Sequence, residues 1–155
     1  MPGKIDARLA QLGIALPDSV PPAANYVPWV RSGNLVFVAG QIPVQDGRDL
    51  NSGKLGAGVS VEQGRQAARL CAVNILSQVR AALGGDLDRV VRCVRLTGFV
   101  NSAPDFTDQP MVMNAASDLM VEVFGEAGRH ARAAVGAAAL PRNVSVEVDA
   151  IFEVL

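Results

Sequence analysis

Two runs between Arg129 and Glu153 read as neighbouring strands, and they carry the one pair of opposite charges with an evident chemical use, Arg132 and Glu147. A guanidinium and a carboxylate lining one cavity would combine charge-assisted binding with a group able to exchange protons. In residues 131–140, strand alternation puts Arg132 on one face with Ala134, Gly136 and Ala138, so a long cation has small neighbours and room around it. Residues 144–152 alternate cleanly: Val144, Val146, Val148, Ala150 and Phe152 share one face, and Ser145, Glu147 and Asp149 the other. A hairpin through Pro141-Arg142-Asn143 is expected to set the two strands side by side. Its register decides whether Arg132 and Glu147 share a cavity.

The elements that must position this pair follow in chain order. Ile5, Leu9, Leu12 and Ile14 suggest a short accessory helix from Ile5 to Leu16, closed near Gly13 and Pro17. Pro17, Pro21 and Pro22 make the lead-in to Tyr26 an extended connection. Val27 to Arg31 and Leu35 to Gly40 are expected to pair as a β-hairpin about Ser32-Gly33-Asn34, and the Gly-rich stretch Gln41 to Gly58 reads as a surface loop. Ser60 and Gln63 have capping-box spacing, and Ala68, Cys71, Ala72, Ile75, Leu76, Val79 and Leu83 recur behind them at helical intervals until Gly84-Gly85. Arg89 to Val100 is a β-branched third strand, with Arg92 and Arg95 expected on opposite faces. A polar loop, Asn101 to Asp108, leads into a second helix from about Gln109, which carries Met113, Ala116, Leu119, Met120, Val123 and Phe124 and stops at Gly125 and Gly128. The order ββαβαββ implies one α+β domain over residues 1–155, with two long helices on one side of a mixed sheet and residues 1–25 as an accessory helix and lead-in.

Composition narrows the function classes. The 155 residues are 50% hydrophobic and 19% charged, a balance that excludes a disordered chain and suffices for a core without disulfides. A net charge of -1 gives no general attraction to phosphate backbones or anionic membranes, so nucleic acid is not an expected partner. Cys71 and Cys93 have no metal or redox spacing and read as buried free thiols of a reducing compartment. With no signal-like or membrane-spanning run, a cytoplasmic protein is expected.

Tyr26, Ser32-Gly33-Asn34, Ala39-Gly40-Gln41-Ile42-Pro43, Phe99-Val100, Asp105-Phe106, Asn114, Ala131-Arg132, Leu140-Pro141 and Val146-Glu147-Val148-Asp149-Ala150 together resemble the RidA/YjgF family of reactive-intermediate (enamine/imine) deaminases. This family was formerly labelled translation inhibitor or endoribonuclease, and the N-terminal helix and the loop after Gln41 resemble a longer branch of it. The resemblance implies a chorismate-mutase-like α+β fold, a homotrimer built as a barrel, and ligand clefts between subunits, with no cofactor and no metal. It implies that Arg132 binds the substrate carboxylate, that Glu147 holds and activates the attacking water, and that Tyr26 arrives from the adjacent subunit to orient substrate or water. Asn114 and the backbone around Gly40 and Ala134 would complete the pocket. The sequence departs from the family pattern at Ala134, where archetypal members carry a cysteine, and at Ala39, where a small hydroxyl residue is common.

The activity implied is hydrolysis of 2-imino or 2-enamino acids, of the 2-iminobutanoate or 2-iminopropanoate type, to 2-oxo acids and ammonia. A different class stays open: a non-catalytic trimer that captures a small carboxylate or 2-oxo acid, motivated by Ala134. RNA cleavage rests only on the old family label, because the chain has one histidine and no basic cluster. Taken singly, Glu147 and Asp149 read as a solvated strand face, Tyr26 as an anchoring aromatic, His130 as a strand-edge residue without catalysis, and the methionines Met111, Met113 and Met120 as packing.

Overall fold

A computed structural model of the chain describes residues 2–19 and 24–155, so Pro21 and Pro22 of the expected lead-in lie outside the described residues. In chain order the elements are helix α1 (Lys4–Gln11), strands β1 (Trp29–Ser32) and β2 (Leu35–Gln41), and four two-residue strands. These are β3 (Val44–Gln45), β4 (Arg48–Asp49), β5 (Lys54–Leu55) and β6 (Gly58–Val59). Helix α2 (Val61–Ala82), strand β7 (Val90–Asn101), helix α3 (Gln109–Phe124) and strands β8 (Ala131–Ala137) and β9 (Val146–Val154) complete the chain. The stretch expected to be a plain loop thus contains two ladders, β3 with β4 and β5 with β6.

Helix α2 begins where its capping box predicts. Gln63 N–H donates to Ser60 Oγ at 3.1 Å and Ser60 N–H to Gln63 Oε1 at 3.0 Å, so two otherwise orphaned donors are satisfied. It ends at Gly84 and Gly85, both at positive φ. Its apolar stripe and that of α3 cover one face of the sheet, where Val36, Leu96, Val100, Val148 and Phe152 are fully buried. Phe124 meets Phe152 edge to face at 6.0 Å, a pairing worth about 0.5–1.5 kcal/mol beyond its buried area. No helix among the described residues is long and apolar enough to cross a membrane.

The main sheet is mixed, in the order β1-β2-β9-β7-β8, and this corrects two expectations. First, no hairpin joins β8 to β9. Strand β8 runs parallel to β7 at the sheet edge, and the chain crosses the end of β7 to insert β9 between β7 and β2. Asn101, at the end of β7, holds that crossover: its N–H donates to Ser145 O at 2.9 Å and its Nδ2 to Val144 O at 3.1 Å. Lys54 Nζ adds bonds to Asn101 Oδ1 at 2.8 Å and to the Ala138 carbonyl. Two strands separated by an eight-residue connection need not be neighbours, and β9 satisfies both its edges by lying between two others. Second, a register shift between Cys93 and Arg95 sets Arg92 opposite Glu153 and Arg95 opposite Ile151, so both arginines share the face away from the helices. Simple alternation had put them on opposite faces.

Candidate functional site

The residues singled out from the sequence fall into two groups. The first gathers where β2 bulges. The register with β9 shifts between Val38 and Gln41, while Ala39 N–H continues the β1–β2 pairing by donating to Pro28 O at 2.9 Å, which ties the segment after Tyr26 to the bulge. Tyr26, Gly40 and Glu147 line one cavity of about 810 Å³, together with Gln41 and the α2 amides Asn74 and Gln78. That volume lies within the ~300–1,000 Å³ usual for small-molecule pockets. Tyr26 and Glu147 of one chain thus line the same cavity, and Tyr26 is largely exposed.

Glu147 is half-buried, and its carboxyl is held above the usual glutamate range, first by burial and second by the nearby Asp149 carboxylate. Both effects favour the protonated acid, so this group takes up a proton more readily than a solvated glutamate.

The second group lies at the edge strand. Arg132 stands opposite Leu96 of β7, and Leu96 is buried under the helices, so the guanidinium reaches toward α3. There Nη1 donates to Asn114 Oδ1 at 2.9 Å and to Ser117 Oγ at 3.2 Å. Asn114 and Ser117 are one helical turn apart and so share a face of α3. Nε and Nη2 of Arg132 have no partner among the described residues. Ala134 stands opposite Gly98 on the same face and packs against the core.

One chain does not bring Arg132 and Glu147 together. Glu147 pairs with Phe99, three residues along β7 from Leu96 with no register shift between them, so the two charges project from opposite faces of the sheet. The cavity that Glu147 lines does not include Arg132.

Sequence reasoning missed Ser117 as a neighbour of Arg132 and gave His130, two residues before it, no part in the site. Ser117 Oγ lies 2.9 Å from His130 Nε2, and His130 Nδ1 lies 2.7 Å from Gly128 O. Burial holds the imidazole below its ordinary pKa, with the Arg132 guanidinium acting in the same direction and the Gly128 carbonyl opposing them. The signal for Ser117 was its spacing of three from Asn114; the place of His130 depends on the turn before β8. Asn74 and Gln78 were also missed, although two polar residues four apart on the apolar stripe of α2 marked a buried polar face. The two thiols are buried: burial raises Cys71 well above the ordinary range and Cys93 to about 12. Among the described residues no three His, Cys, Asp or Glu side chains converge on a possible metal position.

Known proteins share this arrangement of elements. Residues 6–154 match the family model described as "YjgF/chorismate mutase-like, putative endoribonuclease". Protein TCP17 of Trypanosoma cruzi is 53% identical over 152 residues, which is 97% of this chain and 94% of that protein. A RutC family protein of Pyrococcus horikoshii is 31% identical over 130 residues, covering 84% of this chain and 87% of the relative. Among solved structures, a protein of unknown function from Agrobacterium tumefaciens superposes with a TM-score of 0.91 at 53% identity, over 97% of this chain and 92% of that one. TdcF of E. coli, crystallised with bound serine, superposes with a TM-score of 0.62 at 27% identity, over 87% and 93% of the two chains. With nearly its whole length matched by the family model, the chain belongs to the RidA/YjgF family.

Proposed function

We propose that the protein hydrolyses 2-imino or 2-enamino acids to 2-oxo acids and ammonia in clefts assembled between copies of the chain. The observation that carries this reading is the separation of an anion anchor from a proton-accepting carboxylate. Arg132 keeps Nε and Nη2 without a partner among the described residues, on an edge strand of small residues, while Glu147 lines a separate cavity at the bulge of β2. A closed head-to-tail ring of copies sets the edge strand of one against the cavity of the next, which unites the two groups. The exposed apolar residues Val30, Phe37 and Val135 supply a contact surface for such a homotrimer.

In that cleft Arg132 pairs with the substrate carboxylate and Asn114 fixes the guanidinium. Glu147 takes a proton from a water whose oxygen bonds to the imine carbon, the C=N electron pair moves to nitrogen, and Glu147 returns the proton to that nitrogen. Glu147 then carries the hydroxyl proton of the tetrahedral adduct to the amine, the C–N bond breaks, ammonia leaves, and the C=O bond of the 2-oxo acid forms. Tyr26 orients the water or substrate, and Gly40 admits the Glu147 carboxyl beside the backbone. An imine carbon is already electrophilic, so a positioned water and proton transfer suffice. The serine bound to TdcF is a small amino acid with a carboxylate, which agrees with this substrate class.

Binding without turnover is the second reading, favoured by Ala134, which removes any thiol beside Arg132. Ammonia release from imines generated in place by an amino-acid oxidase separates the two. Acceleration by the protein supports hydrolysis; 2-oxobutyrate binding without acceleration on any amino acid supports capture alone.

A further inference from the structure

We infer that Ser117 and His130 are positioning residues for Arg132, holding its guanidinium through one polarised chain of hydrogen bonds so that its Nε–Nη2 edge is presented to a carboxylate. The inference rests on the reading of Arg132 as the carboxylate anchor.

The donors and acceptors along the chain admit one order. The Gly128 carbonyl can only accept, so at 2.7 Å the proton is on His130 Nδ1. A neutral imidazole then has a bare Nε2, and Ser117 Oγ, 2.9 Å away, donates its single proton to it. Burial and the Arg132 guanidinium keep the imidazole neutral around pH 7, as the chain requires. The Ser117 lone pairs are left facing Arg132 Nη1 at 3.2 Å, and Asn114 Oδ1 takes the other Nη1 hydrogen at 2.9 Å.

His130 has a specific part in this. A serine inside a helix commonly returns its hydroxyl proton to a carbonyl one turn back. Here the imidazole accepts that proton, which commits the serine oxygen to Arg132. With both Nη1 hydrogens fixed, the guanidinium plane is set. The remaining edge is a two-donor fork whose geometry matches a carboxylate. Without Ser117 or His130 the arginine keeps its charge and loses this orientation, so the loss falls on binding rather than on the chemical step.

Two measurements test this. The chain has one histidine, so imidazole nitrogen NMR of the ¹⁵N-labelled parent near pH 8 reads His130 alone. The expected spectrum has the proton on Nδ1 and a hydrogen-bonded, unprotonated Nε2, with Nε2 moving toward a free acceptor in Ser117→Ala. A proton on Nε2 in the parent overturns the inference without any variant. The second measurement is calorimetry with 2-oxobutyrate on the parent, Ser117→Ala, Ser117→Thr, Arg132→Ala and the double variant Ser117→Ala/Arg132→Ala. Ser117→Ala should weaken binding roughly three- to tenfold, as expected for one lost oriented hydrogen bond. Ser117→Thr should recover the parental Kd, and Ser117→Ala should change nothing further when Arg132 is already alanine. Equal Kd in parent and Ser117→Ala, with binding lost in Arg132→Ala, overturns the positioning role and leaves the anchor intact. Equal Kd in parent and Arg132→Ala, or no binding by the parent, overturns the anchor itself.

Discussion

Glu147 fills the space that a side chain at Gly40 would need: a Cβ there would stand 2.8 Å from Glu147 Oε1 and 3.0 Å from its carboxyl carbon. The bulge in β2 brings this position against the carboxylate, and a Cβ there would push the carboxyl aside. Gly40→Ala should displace the carboxyl and lower ammonia release by about tenfold or more, since misplacement on the ångström scale is costly to an aligned reaction. The melting temperature should fall only slightly, because the neighbour that must give way is a flexible side-chain end. Wild-type turnover in Gly40→Ala would show that the position of Glu147 is not used.

Glu147→Gln should retain 2-oxobutyrate binding and lose roughly 10²- to 10⁴-fold in turnover, the usual contribution of a general base. The base must be ionised to accept a proton. Because burial and Asp149 raise its pKa above the ordinary 4.5, turnover of the parent should fall on acidification at a pH above that value. A pH–rate profile locates the fall, and a flat profile down to pH 4.5 would contradict the role.

Arg132→Ala should weaken 2-oxobutyrate binding by roughly ten- to a hundredfold, since a charge-assisted hydrogen bond contributes about 1.5–3 kcal/mol. Arg132→Lys retains charge but not the fork, so its affinity should lie between those of the parent and Arg132→Ala. Calorimetry on the three proteins, with light scattering to follow their mass, distinguishes an anchor from a contact that holds the assembly together.

Protonation of His130 links acid to stability with a definite sign. Its folded pKa is lowered, so below about pH 6.5 the unfolded chain binds more protons than the folded one. Stability contributed by the neutral imidazole is complete above that pH and is lost as pH falls through the folded value. Glu147, with a raised pKa, has the opposite sign: the folded state gains as pH falls from its raised value toward 4.5. Melting temperatures from pH 8 to 4.5 should therefore show a loss at mild acidity that His130→Asn removes, and a compensating gain that Glu147→Gln removes.

Lys54→Met should keep the apolar stem and lose the ammonium bonds to Asn101 Oδ1 and the Ala138 carbonyl, which hold the crossover between β8 and β9. A cost of about 1–3 kcal/mol is expected, seen as a fall of several degrees in melting temperature. An unchanged melting curve would mean that Asn101 alone secures the crossover.

What the sequence determined by itself was local. Ser60 and Gln63 lie three apart, and a capping box needs nothing beyond that spacing; the stripe from Ala68 to Leu83 and the glycines after it likewise set α2 within a few residues. The clean alternation of β9 is also local, since side chains along a strand must point to alternate faces. Which strand lies beside which is not a local property. Strands β8 and β9 follow one another, yet β9 buries its alternating face best between β2 and β7, and that choice places Arg132 and Glu147 on opposite faces. The bulge at Cys93 is decided in the same way: the core takes both Cys93 and Leu96, three residues apart, and the ladder shifts to allow it. The contacts of Arg132 with Asn114, Ser117 and, through Ser117, His130 join residues from a helix, a turn and a strand. Only the packing of α3 over β8 brings their donors and acceptors within hydrogen-bonding distance.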